Sequence, residues 1–111
     1  MTRIGISSNT AIPCFQVIRS KGYSISSKIY FIEDIIEDAT YEFIAEKDGN
    51  EFVADNLEEV LGLITMWEHR GNTNNNIDWR ANHDEHLEYR KVLDNSKIFD
   101  KNGNEVNEDE L

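Results

Sequence analysis

Tyr41-Glu42-Phe43-Ile44-Ala45-Glu46-Lys47-Asp48-Gly49-Asn50-Glu51-Phe52-Val53-Ala54 is the stretch on which the fold turns. Two runs rich in aromatic and aliphatic residues flank Asp48-Gly49, a strong short-range hairpin signal. Both central residues of a type I′ turn need positive φ, which Asp tolerates and Gly takes freely. Strand alternation then puts Tyr41, Phe43 and Ala45 on one face. That face needs a cover.

The cover follows at once. From Asn56 to Arg70, the residues Leu57, Val60, Leu61, Ile64 and Trp67 recur at helical spacing and make a wide apolar stripe. Asn56 with Glu59 three residues on resembles a capping box, and Glu58 and Glu59 sit at the positive end of the helix dipole. His69 and Arg70 sit at the other end, before Gly71 as a stop. Gly62 inside this helix costs about 1 kcal/mol relative to Ala. Close approach of helix to sheet is the expected return.

Upstream, Cys14 to Arg19 and Tyr23 to Ile32 read as two extended segments joined at Ser20-Lys21-Gly22, with a bend or bulge expected near Ser26-Ser27. Glu33 to Asp38 pairs acids with apolar residues and reads as an acidic connector. Downstream, Asn72 to Asn76 is a polar loop. A second helix is expected from about Asn82 to Leu93, too sparse in apolar residues for deep burial, and Ile98 to Val106 is either a small terminal hairpin or a free tail. The fold class is therefore α+β: an antiparallel meander of three to five strands packed against one main amphipathic helix, with a second C-terminal helix. One domain over residues 1–111 is expected, with 1–12 and 105–111 as flexible ends.

Charge is distributed unevenly. The chain of 111 residues has net charge −11, yet residues 1–32 carry Arg3, Arg19, Lys21 and Lys28 and no acid, so a segment of +4 precedes one of −15. A field this negative repels nucleic acid and anionic lipid and steers toward cationic partners. No apolar run approaches the roughly 20 residues of a membrane span, and the N-terminus lacks the apolar region of a secretory signal. A cytoplasmic location is expected. The single cysteine, Cys14, lies between Pro13 and Phe15 and reads as a packed thiol.

Catalytic signatures are missing. No Ser or Cys sits in a nucleophile motif and there is no glycine-rich phosphate loop, so neither an enzyme nor a cofactor is expected. His83 and His86 share a helix face at i, i+3, but a zinc site needs three or four converging ligands, so a solvated polar face is the reading. The loops at Asp48 and Asp100 lack the glycine and glutamate positions of an EF-hand and read as turns. Trp79, just past the polar loop and near Arg80, either packs beneath that loop or anchors a partner.

The segment Glu59-Val60-Leu61-Gly62-Leu63-Ile64-Thr65-Met66-Trp67-Glu68-His69-Arg70-Gly71, set in a small acidic α+β chain, resembles the helix of some immunity proteins of bacterial polymorphic toxin systems. The resemblance covers residues 41 to 80 in character. It implies a protein that binds a basic partner, a toxin or nuclease domain, and blocks it. Glu33, Asp34, Glu37, Asp38, Glu42 and Glu46 form the candidate binding surface, with Trp79 as a candidate anchor. The acids of 84 to 88 and the tail form another. A phage-type DNA mimic that inhibits a host nuclease would use the same acids. A small interaction domain, and a metal-dependent enzyme relying on His83 and His86, are two further readings.

Overall fold

The computed structural model describes residues 1–32, 35–71, 79–107 and 109. Helix α1 (Ala11–Ser20) leads into strands β1 (Ser24–Ile32), β2 (Ile35–Lys47) and β3 (Asn50–Ala54), then helix α2 (Leu57–Arg70). Helix α3 (His83–Asp94) and the short strands β4 (Ile98–Phe99) and β5 (Glu105–Val106) follow. The three long strands form an antiparallel meander in the order β1-β2-β3, and β4 pairs with β5. Residues 1–79 and 80–111 make two compact units. The α+β meander with a main amphipathic helix and a C-terminal helix is the architecture that the pattern predicts.

The hairpin forms at Asp48-Gly49, with φ of 53° and 82°, the positive pair of a type I′ turn. It fixes the register, Lys47 opposite Asn50, Ala45 opposite Phe52 and Phe43 opposite Ala54. Ala45, Phe52, Phe43 and Ala54 face the helices. Ile18, Tyr23, Ala45, Val60 and Ile64 are buried together, flanked by Ile25, Phe43, Phe52, Ala54, Leu57 and Leu61. Aromatic contacts extend this core, with Phe52 5.8 Å from Tyr23 and 5.4 Å from Trp67, ring centre to ring centre.

Cys14 to Arg19 is helical rather than extended, which corrects the expectation from its β-branched and aromatic content. Ala11, Cys14, Phe15 and Ile18 fall at i, i+3, i+4 and i+7, and Ile18 on that stripe is fully buried. Pro13 does not oppose the helix because the amides of the first turn have no intrahelical acceptor. Gly22, at φ 93°, ends it, and its N–H donates to the Arg19 carbonyl at 3.0 Å. Two contacts set the direction of α1 relative to α2. The Thr10 hydroxyl lies 2.8 Å from a Glu58 carboxylate oxygen, and Lys21 Nζ lies 2.8 Å from Glu68. Start meets start and end meets end, so the two helices run in the same direction.

Three further expectations are corrected. Residues Ser24 to Tyr30 pair with Thr40 to Glu46 without interruption, and the register shifts between Tyr30 and Ile32 instead of near Ser26-Ser27. Ile35 to Asp38, read as part of a connector, belong to β2; Glu33 and Asp34 lie outside the described residues, as does the polar loop Asn72 to Asn76. Gly62 does not bring the helix against the sheet, because a Cβ placed there meets nothing within 4 Å. Replacing Gly62 with Ala is therefore expected to raise stability by about 1 kcal/mol, read as a higher urea midpoint at unchanged slope. A loss of stability would show that the site is closed.

Caps hold both later helices. The Asn56 side chain accepts from the Glu59 N–H at 2.8 Å, and in α3 the full reciprocal capping box forms between Asn82 and Glu85. Gly71 ends α2 at negative φ, −106°, and its N–H donates to the Trp67 carbonyl. Residues 98–106 form the terminal hairpin, where the Asp100 carboxylate accepts from the N–H groups of Asn102 and Asn104, both at 2.9 Å. None of the described residues of α3 is buried.

Candidate partner-binding surface

Within residues 1–79, helices α1 and α2 cover one face of the meander, and no other described helix of that unit lies on the second, open face. Alternation sends Ser24, Ser26, Lys28 and Tyr30 of β1, Thr40, Glu42, Ile44 and Glu46 of β2, and Glu51 and Val53 of β3 to the open face. Tyr30 and Val53 are nearly half exposed there. Lys28 is the register partner of Glu42. Glu46 has no such relief, because the residue directly opposite is Glu51. Like charges directly opposite across an antiparallel pair are destabilising. Among the described residues, Glu42, Glu46 and Glu51 enter no ion pair.

The structure thus brings Glu42 and Glu46 of the expected surface onto one sheet face. Glu37 and Asp38 lie further along β2, and Glu33 and Asp34 are outside the described residues. Trp79 is less than half exposed. It lines a hollow of about 280 Å³ with Phe52, Val53, Leu63, Met66 and Trp67, away from the acids of the sheet face except Glu51, which borders both. Sequence reasoning missed Glu51. The signal was present, since a two-residue turn at Asp48-Gly49 forces Glu46 and Glu51 into opposition.

A second polar cluster sits at the hairpin tip. Lys21 bridges to Glu68, whose other carboxylate oxygen lies 3.5 Å from the Tyr23 hydroxyl. Lys47 Nζ donates to the Lys21 carbonyl at 2.8 Å and lies 5.4 Å from the Tyr23 ring centre. Tyr23, Lys47 and Glu68 border a cleft of about 240 Å³ that also takes in Asp48, Asn50 and Trp67. Burial, and then the Glu68 charge and hydrogen bond, push the Tyr23 hydroxyl above its ordinary value of 10.0. The folded state therefore holds this proton more tightly than the unfolded chain does. The stability it contributes is complete below pH of about 10 and is lost as pH rises through the folded value. Tyr23→Phe is expected to flatten this alkaline limb in urea titrations, and an unchanged limb would place its cause elsewhere.

Burial, followed by the Glu58 charge, raises the Cys14 thiol in the same way. A thiol kept protonated is a poor nucleophile. His83 and His86 are both exposed on α3, and among the described residues no group of three His, Cys, Asp or Glu side chains is arranged to hold a metal ion. No helix of the described residues is long and apolar enough to cross a membrane.

Compared with known proteins, the chain matches no family model, no curated protein and no solved structure.

Proposed function

We propose that this chain is a protein-binding inhibitor of the immunity-protein kind, which neutralises a cationic toxin or nuclease domain through its acidic sheet face. The observation that carries the reading is the opposition of Glu46 and Glu51 on the sheet face away from α1 and α2, with Glu42 beside them and no cation of the described residues in an ion pair with any of the three. Like charges held this way cost stability in the isolated chain. Lys or Arg side chains of a partner would convert that cost into charge-assisted hydrogen bonds. Tyr30, Ile44 and Val53 on the same face supply the apolar area that such an interface needs at its centre.

Capture from the source lysate at low and at high salt, with mass spectrometry of the retained protein, tests the proposal. One basic toxin-like or nuclease-like protein held one-to-one and weakened by salt is the expected result. Retention of no specific basic protein would reject it and leave the acidity as a determinant of solubility.

A further inference from the structure

A groove runs along the outer edge of β3 against α2. One hollow, of about 420 Å³, is bordered by Val53, Ala54, Asp55, Glu59, Gly62 and Leu63. The hollow beside Met66, Trp67 and Trp79 shares Val53 and Leu63 with it, so the two adjoin along the groove. Among the described residues β3 is the edge strand of the sheet. A two-residue hairpin makes Lys47 with Asn50, and Ala45 with Phe52, the hydrogen-bonded pairs, so the backbone N–H and C=O of Glu51 and Val53 point away from β2. Among the described residues neither has a hydrogen-bond partner on that side.

Gly62 borders the groove. In a helix interior glycine is costly, and here its missing side chain relieves no contact within the chain, since a Cβ would meet nothing within 4 Å. The space over Gly62 is open to an occupant. Charge identifies which kind: Asp55 and Glu59 border one end of the groove and Glu51 the other, while a net charge of −11 sets a second copy of the chain against itself.

We infer that the β3 edge and the groove beside α2 take up an extended segment of a basic partner protein as a fourth strand of the sheet. Alternate side chains of that segment are apolar and lie over Gly62, Leu63 and Met66. The intervening ones are Lys or Arg and face Glu51 on the open side of the sheet. The backbone of the segment pairs with Glu51 and Val53, which gives affinity, while the groove and the acids give selectivity. The sign of the occupant's charge rests on the cationic-partner reading; the groove and the free strand edge do not.

Amide NMR spectra of the full chain, titrated with a blocked hexapeptide alternating lysine and valine, test the inference. Shifts at Glu51, Val53, Gly62 and Leu63, with slowed exchange of the Glu51 and Val53 N–H groups, are expected. Gly62→Leu, which fills the groove from an exposed helical position, is expected to weaken binding by on the order of tenfold or more, while Gly62→Ala retains most of it. Shifts confined to Lys28, Glu42 and Ile44, indifferent to Gly62→Leu, would overturn the groove and leave the cationic-partner reading standing. Equal binding of a peptide alternating glutamate and valine would overturn the charge of the occupant. Concentration-dependent shifts without peptide would make the occupant a second copy, and no shift at millimolar peptide would remove the site altogether.

Discussion

Ile64→Ala is expected to lower unfolding free energy by about 2–5 kcal/mol, the cost of deleting buried methyl groups and leaving a cavity. Ile64 is fully buried, and among the described residues it shares the buried core with Ile18, Tyr23, Ala45 and Val60. A small core has few neighbours able to collapse into a void. Against a typical total of about 5–15 kcal/mol, such a loss removes a large share of the stability. Urea unfolding followed by tryptophan fluorescence reads it directly, because Trp67 packs on Phe52 beside this core. Ile64→Val, which removes one methyl group, should cost about 0.5–1.5 kcal/mol. A loss for Ile64→Ala no larger than that of the valine variant would mean that the helix and sheet close over the gap.

The second large effect is kinetic. Replacing Glu42, Glu46 and Glu51 together with Gln is expected to slow association with the cationic partner by on the order of tenfold or more at low salt, since steering depends on the summed field of such groups. The same change should raise the stability of the free chain by about 0.2–1 kcal/mol through relief of the Glu46–Glu51 opposition. Binding and folding move in opposite directions, which separates a functional charge from a structural one. Stopped-flow association with the captured partner and urea unfolding of the same variant supply the two readouts. An unchanged association rate would remove the sheet face from the interface.

Much of this architecture is legible in the sequence because local rules agree with one another. Asp48-Gly49 with alternating flanks admits one turn and one register, and the stripe from Leu57 to Trp67 admits one period. Asn82 and Glu85 announce the start of α3. Cys14 to Arg19 is ambiguous for a physical reason: Phe15, Val17 and Ile18 favour strands by their shape, and Pro13 looks like a breaker. Only the spacing of Ala11, Cys14, Phe15 and Ile18 argues for a helix, and burial against α2 decides it. The candidate surface divides the same way. Glu42 and Glu46 are close in sequence and stay close in space, whereas Glu51 joins them through strand pairing. Neither the hollow at Trp79 nor the open space over Gly62 is visible before helix and strand are placed side by side.

The contacts that align α1 with α2 join residues 48 and 47 positions apart in the chain. The hairpin and the β3 to α2 connection close over far shorter distances, so their contacts form at lower entropic cost. Contact order therefore predicts that residues 41–70 form structure first and that α1 docks onto them later. In the native state the order is reversed. α1 presents one fully buried side chain, Ile18, and is tied to α2 at its ends by a hydroxyl and a partly exposed ion pair, so it is expected to detach first. Amide exchange should be fastest in α1 among the three elements that build the core, and a protease that cuts opened helices should reach the Arg19-Ser20 bond before any site in α2.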